Sequence, residues 1–280
     1  MKQISTARLN GRAVDSFSED AMRVWIGLLA LLVVAPAAPL GAQVRVDNAD
    51  IRFGPGNTVA IVNVSNESAT TGQFTLSNGD WDRRDDGGNR FFAPGTTPNS
   101  CERGLEVFPR QLRLAPNESQ AVRVTLHSDS LTARTCWSII FVQPETPPST
   151  AAIGVRMVTR IGIKVYYIPA RSVLLAEVVD FRQDSSAAPG DTAHIVVTVR
   201  NTGTAPVALT GSIEIRRADN FTVGTIPVDQ VPILPGALRT LRLALPASIL
   251  PGSYVALGVL DYGGDEDLAA QAPIVVKVPR

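Results

Sequence analysis

Apolar and polar residues alternate with a period of two along most of the chain, as they do in β-strands that bury one face. Residues 59–64 (VAIVNV) and residues 194–199 (HIVVTV) are two such runs, and each ends in a polar turn that contains asparagine. No stretch after residue 43 keeps a helical period over three turns. The pattern therefore predicts an all-β protein.

The order of these runs occurs twice along the chain. The repeated segments after the asparagine turn are 112–117, 121–126 and 137–142 in the first half, and 233–236, 241–245 and 254–260 in the second. Short strands separated by turns, in copies of about 110–125 residues, are typical of immunoglobulin-like sandwiches. The sequence therefore predicts two immunoglobulin-like β-sandwich domains in tandem, over residues 43–170 and 171–280.

The first segment of the chain has the pattern of a secretory signal peptide. Residues 24–34 (VWIGLLALLVV) are apolar, Arg23 precedes them, and small residues follow. The apolar run is shorter than the ~20 residues that a transmembrane helix needs. We interpret residues 1–42 as a signal-peptide region whose translation starts at Met1 or Met22, with a membrane anchor as the alternative.

The chain has two cysteines, Cys101 and Cys136. In an exported protein such a pair predicts a disulfide, and the spacing lacks the C-x-x-C pattern of a redox-active pair. Closing a loop of about 35 residues would stabilise the fold by roughly 3–4 kcal/mol on the chain-entropy account. The charge is balanced, with 26 basic and 26 acidic residues, which argues against bulk attraction to nucleic acid.

Candidate catalytic chemistry is sparse. The two histidines, His127 and His194, fall in different predicted domains, and no phosphate-binding, metalloprotease or serine-hydrolase motif occurs. A nucleophile needs a nearby base, and a metal cage needs several His, Cys or carboxylate ligands. We therefore expect no catalytic residue, no metal site and no cofactor, and we do not expect an enzyme.

An acidic, glycine-rich insertion, residues 80–89 (DWDRRDDGGN), distinguishes the first half from the second. Its carboxylates suggest a Ca²⁺ loop as one alternative, since oxygen ligands suit that ion. However, Arg83 and Arg84 stand among the acidic residues, and no EF-hand spacing occurs. We interpret the insertion as a solvated hairpin tip of undetermined role.

The last strand predicted for the first domain is unusually long. Alternation from residue 153 to residue 164 predicts a strand of ~40 Å at ~3.3 Å per residue. One face carries Arg156, Arg160 and Lys164. We interpret the segment as an edge strand that is donated to a partner, with an ordinary half-buried strand as the alternative. The donor face comprises Ile153, Val155, Met157, Thr159 and Ile161.

Three segments carry a family resemblance in the same order and spacing. They are residues 108–124, which begin FPRQLRLAP, residues 131–148, which include WSIIFV, and residues 163–169 (IKVYYIP). Over residues 44–170 the chain resembles the N-terminal domain of PapD-like periplasmic chaperones of pilus assembly. The second half is similar only to immunoglobulin-like domains in general.

The resemblance implies that the chain lends a strand to a pilin subunit and that an Arg and a Lys in the interdomain cleft hold the subunit's C-terminal carboxylate. Lys164 lies at the family's Lys position. Arg52 is the candidate for the Arg, but it needs a two-residue gap, because a gapless match places Asp50 there, and Arg45 lies further away. Cys136 replaces the family's usual acidic residue, which indicates a divergent branch.

The resemblance predicts a periplasmic, ATP-independent chaperone of pilus, fimbrial or other surface-fibre subunits. Its expected partners are pilin-like subunits and an outer-membrane usher, with no nucleic acid and no membrane span after signal cleavage. An exposed donor strand also predicts self-capping dimers. The alternative is a secreted two-domain structural or adhesive protein without a client, in which residues 153–163 pair within their own sheet.

Overall fold

The structure is a computed structural model that describes residues 44–127, 129, 131, 134–145, 159–184 and 193–277. The predicted signal-peptide region lies outside these residues. Strands dominate the described part, which also contains a short 3-10 turn (Glu102–Gly104). A membrane-spanning helix is not found among the described residues. The all-β prediction, with two sandwiches in tandem, is confirmed.

Seventeen strands follow one another along the described chain. The first sandwich contains β1 (Val44–Val46), β2 (Asp50–Phe53), β3 (Val59–Asn66), β4 (Gly72–Arg83), β5 (Asn89–Phe92), β6 (Leu105–Phe108), β7 (Gln111–Leu114), β8 (Ser119–Leu126), β9 (Cys136–Pro144) and β10 (Ile161–Tyr167). The second contains β11 (Ala176–Gln183), β12 (His194–Asn201), β13 (Val207–Arg216), β14 (Thr222–Ile233), β15 (Leu238–Ala244), β16 (Gly252–Asp261) and β17 (Leu268–Val276).

The first sandwich packs a four-stranded sheet, in the order β1-β3-β8-β6, against a six-stranded sheet. The six-stranded sheet has the order β2-β10-β9-β4-β5, and β7 also pairs with β4. Alternate residues of each strand face inward, and those of the main strands are fully or almost fully buried. The core includes Val62, Val64, Phe74, Leu76, Val122, Val124, Ile140, Val142, Ile163 and Val165.

The second sandwich packs the sheet β11-β12-β15 against the sheet β14-β13-β16-β17. The side-chain amide of Gln183 in β11 bonds the backbone of Val275 in β17 twice, at 2.8 and 2.9 Å. This amide therefore links the edge strands of the two sheets. The core includes Ile195, Val197, Val199, Leu209, Ile213, Ile215 and Leu260.

The internal repeat predicted from the sequence has a physical counterpart in a buried asparagine. Asn66 at the end of β3 donates its side-chain amide to Thr70 O at 2.8 Å and Leu114 O at 3.0 Å. Asn201 at the end of β12 donates to Ala205 O at 2.8 Å and Ile233 O at 3.0 Å. Both residues have no exposed surface. Each asparagine therefore fixes the same turn in its own sandwich.

The disulfide prediction is confirmed, because Cys101 and Cys136 are bonded with their Cα atoms 5.2 Å apart. A second anchor lies beside it. The buried Asp80 carboxylate accepts hydrogen bonds from Thr97 N and from the hydroxyls of Thr97, Ser100 and Ser138, at 2.6–3.2 Å. The loop that precedes Cys101 is thus held to the six-stranded sheet by the disulfide and by the hydrogen bonds to Asp80.

Residues 80–92, which we call the insertion arm, comprise the end of β4, a turn and β5. Both sandwiches belong to one compact unit of the chain, residues 42–280. The backbone O of Asp85 at the arm's turn accepts hydrogen bonds from Thr240 N at 2.8 Å and from Arg239 Nη1 at 3.1 Å in the second sandwich. The predicted hairpin is therefore present and its turn residues Arg84, Asp85 and Asp86 are exposed, and its backbone also contacts the second sandwich.

Candidate functional site

The outer face of the six-stranded sheet is unusually rich in aromatic residues. Inward-facing residues of β4, β9 and β10 fill the core, so the residues between them point outward. Instead of polar side chains, these positions carry large rings that are nearly or completely buried. We call them the aromatic floor, which comprises Trp81, Trp137, Phe141 and Tyr166.

Edge-to-face contacts and one hydrogen bond hold the floor together. Trp81 and Tyr166 meet edge-on with their ring centroids 5.9 Å apart. Trp137 donates its Nε1 hydrogen to the backbone O of Trp81 at 2.9 Å. Leu234 of the second sandwich packs on the same cluster. The floor therefore lies partly at the junction between the two sandwiches.

Cationic side chains cover the rest of the floor. Lys164 Nζ lies 4.8 Å from the ring centroid of Trp81, and Arg83 Cζ lies 5.6 Å from the same centroid. Arg160 Cζ lies 4.0 Å from the centroid of Phe141 and 5.5 Å from that of Phe91. Cations stacked on aromatic faces are attracted by the ring quadrupole. The outer face therefore carries basic side chains over a layer of aromatic rings.

Burial changes the titration of two groups in this site. Burial lowers the pKa of Lys164 from its usual value, and the nearby Arg83 lowers that pKa further, against an opposing effect of Asp50. Burial also raises the pKa of the Tyr166 phenol. Burial is the largest cause of both shifts, because it disfavours the charged form of each group.

Strands β2 and β10 pair in parallel. Asp50 lies opposite Lys164, and Arg52 lies opposite Tyr166. Arg52 Nε is 3.0 Å from Asp50 Oδ1, and the guanidinium also stacks 5.3 Å from the Tyr166 ring centroid. The structure thus places Arg52 and Lys164 on neighbouring strands, with an acidic residue directly across from Lys164. Arg52 already has an acidic partner.

The edge of β10 is open at its start. Strand β2 pairs with residues 164–167 of β10, and Lys164 N donates to Ala49 O at 2.9 Å. Residues 161–163 pair with β9 on one side, and no described strand pairs with their other side. This stretch offers backbone N–H and C=O groups to a further strand.

The predicted donor residues are divided between described and undescribed parts of the chain. Ile153, Val155 and Met157 lie outside the described residues. Thr159 is exposed and precedes β10, whereas Ile161 is the half-buried first residue of that strand. In the described part the strand begins at Ile161, where pairing with β9 starts, whereas the alternation predicts a strand from residue 153 that would include Thr159.

Sequence reasoning missed the aromatic floor and, around it, Arg83 and Arg239. The alternation of β4 continues through Trp81 and Arg83, so extending it into the insertion would have placed both on the outer face. Arg239 had no comparable signal, because it reaches the site from the second sandwich. The described residues contain no group of three or more His, Cys, Asp or Glu side chains that could hold a metal ion.

Comparison with known proteins finds similarity among solved structures. No family model matches the chain, and no curated protein matches it. A chaperone–tip adhesin complex of CFA/I fimbriae biogenesis is similar at 14% identity and a TM-score of 0.49, covering 85% of this chain and 100% of that chain. The class 5 fimbriae chaperone CfaA is similar at 12% identity and a TM-score of 0.48, covering 84% and 100%.

The chaperone DraB of E. coli is similar at 15% identity and a TM-score of 0.43, with coverage of 84% of this chain and 97% of that chain. All three similarities are at low sequence identity and at TM-scores below 0.5.

Proposed function

We propose that the chain is a periplasmic chaperone that binds pilin-like or other surface-fibre subunits and stabilises them by donating a β-strand, without ATP. The observation that carries this proposal is the open edge of β10 at residues 161–163. The family resemblance over residues 44–170 supports the interpretation of this edge as one that pairs with a client strand. A client strand would complete the backbone pairing that this edge lacks.

The alternation of the sequence gives this edge its specificity. Ile163 is buried in the sandwich core, and Ile161 two residues earlier points to the same side with partial burial. The same alternation continues upstream through Met157, Val155 and Ile153. In this proposal their side chains fill the gap in the core of a client that lacks its own last strand.

Lys164 is positioned to receive the client's chain end. It lies where the open part of the β10 edge ends, because β2 takes over the pairing from that residue. A C-terminal carboxylate there would gain charge-assisted hydrogen bonds on a partly buried base. The family resemblance makes Arg52 the partner of Lys164, although Arg52 is paired with Asp50 in the free chain.

The donor segment can be tested by capture of a client in the periplasm. Met157→Glu would place a carboxylate on the donor face, and we expect it to abolish recovery of a co-expressed subunit with an incomplete sandwich. Val158→Glu is the matched control, since the alternation puts it on the opposite face. If Met157→Glu recovers as much of the subunit as Val158→Glu does, strand donation by this face is wrong.

Amide hydrogen exchange of the free chain separates the proposal from a structural or adhesive protein without a client. A donor edge predicts fast exchange over residues 151–158, whereas slow exchange there would mean that the segment pairs within its own protein.

The open edge also favours self-capping dimers, which sedimentation can detect. An outer-membrane usher is a further proposed partner, on the family resemblance alone.

A further inference from the structure

Strand β10 begins where its ladder with β9 stops. The N–H of Lys164 points to β2, so the N–H groups at odd-numbered positions of β10 point to β9. The first such pair is Ile161 with Val142, and the next one upstream would be Thr159 with Pro144. Proline has no N–H to donate to such a pair. The ladder therefore ends at Ile161, although β9 itself continues to Pro144.

One ring of the aromatic floor lies across the sheet beside this end of the ladder. Phe141 lies on β9 opposite Gly162 of β10. A Cβ atom at Gly162 would be 3.7 Å from Cε1 of the Phe141 ring, and a Cβ atom at Gly79 of β4 would be 2.9 Å from Cε2. Because neither glycine has a side chain, the ring has room to lie between β10 and β4.

Arg160, the residue before β10, stacks on this ring. Its Cζ atom lies 4.0 Å from the ring centroid of Phe141 and 5.5 Å from that of Phe91 on β5. The two rings meet edge-on, with their centroids 5.3 Å apart. We call Arg160, Phe141 and Phe91 the arginine stack. It joins the residue that precedes β10 to the insertion arm, across β9 and β4.

We propose that the arginine stack positions the open edge of β10 for an incoming strand, with Arg160 and Phe91 as positioning residues. The stack holds residue 160 where the ladder with β9 has ended, so residues 161–163 stay extended with one side that no described strand pairs. An edge that is already held in its bound conformation loses less conformational entropy when a strand pairs with it. The client strand as occupant rests on the proposed chaperone function.

The two ends of β10 differ in how they are held. Residues 164–167 pair with β9 on one side and with β2 on the other. Residues 161–163 pair with β9 alone among the described strands. Local opening starts where a strand has the fewest partners, so it should start at residue 161. Loss of the arginine stack should therefore act on this end of β10 and leave the other end unchanged.

Amide hydrogen exchange of the free chain, followed by NMR, tests the stack without a client. The reporters are the amides of Ile161 and Ile163, because their N–H groups point to β9 at the end of the ladder. Phe91→Ala or Arg160→Gln should speed exchange of these amides about threefold to fivefold, as for the loss of an exposed cation–π contact. The amide of Val165, where β10 is paired on both sides, should change by less than about 1.5-fold.

Phe92→Ala is the matched control. Phe91 lies opposite Trp81 on the outer face. Phe92 lies opposite Asp80, so its ring points to the other face. The two rings are similarly exposed, at 44% for Phe91 and 41% for Phe92. Phe92→Ala should leave exchange at Ile161 within about 1.5-fold of the unchanged chain, and Phe91→Tyr, which keeps a ring, should retain slow exchange. Circular dichroism checks that each variant is folded.

Recovery of a co-expressed subunit gives the second readout. The positioning role predicts that Phe91→Ala lowers recovery, whereas Phe92→Ala and Phe91→Tyr do not. The inference is overturned if Phe91→Ala and Phe92→Ala exchange alike, or if Phe91→Tyr exchanges as fast as Phe91→Ala. Faster exchange in Phe91→Ala with unchanged recovery of the subunit would also overturn the positioning role.

The two readouts separate this inference from the proposed function. If the exchange results are as expected but the unchanged chain captures no subunit, the stack holds the edge and the chaperone function fails. If the unchanged chain captures a subunit but Phe91→Ala alters neither exchange nor recovery, the chaperone function stands and the role of the arginine stack fails.

Discussion

Asn66 in the first sandwich and Asn201 in the second fix the same kind of turn through similar side-chain hydrogen bonds. The two sandwiches differ in whether the basic side chains on their outer faces form ion pairs. In the second sandwich, Arg216 on β13 is paired with Glu214 at 2.7 Å. In the first, Lys164 and Arg83 stack on Trp81 and have no ion pair among the described residues.

This difference separates what maintains a fold from what forms a site. A buried asparagine and alternating apolar residues satisfy the same packing requirements in both halves, so they recur. Unpaired cations on an apolar base lower stability unless a ligand compensates them, and such arrangements concentrate at functional sites. The comparison predicts that changes to the buried framework of either sandwich cost most, and that changes to the site cost little in the free protein.

The largest effect should come from the disulfide, which only the first sandwich has. The double change Cys101→Ala with Cys136→Ala should lower the free energy of unfolding by roughly 3 kcal/mol, because the unfolded chain gains conformational freedom. Denaturant titration measures the loss. Hydrogen exchange should locate the loss in strands β3 to β10, and equal acceleration in both sandwiches would mean that they unfold as one unit.

The shared asparagines should have the next largest effect, and an equal one. Asn66→Ala removes the amide hydrogen bonds to the backbone O atoms of Thr70, Leu114 and Ala115, and Asn201→Ala removes those to Ala205 and Ile233. Each change should cost about 2–3 kcal/mol, because these bonds lie in buried turns. The exposed Asn63, which bonds Asp47 at the surface, is the matched control and should cost less than about 1 kcal/mol when changed to alanine. A neutral result at only one of the two buried positions would contradict the structural repeat.

Lys164→Gln should have a smaller effect that depends on pH. The pKa of Lys164 is lowered in the folded chain, so between that pKa and the usual value of 10.5 the unfolded chain holds more protons. The variant should therefore be the more stable protein at pH 7, and the difference should shrink as pH rises through the lowered pKa. Urea unfolding at several pH values measures this trend, and a difference that grows with pH would refute it.

Arg52→Gln should have the smallest effect on the free protein. Both side chains of its ion pair with Asp50 are exposed, and such pairs contribute about 0.5 kcal/mol or less to the free energy of unfolding. Thermal or denaturant unfolding in low and high salt checks this value. A loss above about 1 kcal/mol would show that Arg52 contributes more to the structure than an exposed pair can.

Much of the fold followed from local patterns. Alternation predicted the strands because each strand buries one face, and the two asparagine turns predicted the repeat because each fixes a backbone turn within a few residues. The expectation of export and the even count of cysteines predicted the Cys101–Cys136 bond. The site was predicted less well, since Arg83 and Arg239 are 156 residues apart in sequence and meet only where the insertion arm reaches the second sandwich.

The sequence by itself determined the all-β class, the repeat, the disulfide and the alternation of the last strand of the first sandwich. These features depend on residues close in sequence or on composition. The tertiary structure decided that Asp50 faces Lys164, that the insertion contacts the second sandwich and that Lys164 and Arg83 stack on Trp81. Strand register and the packing between sandwiches set those distances, and neither is encoded in any local pattern.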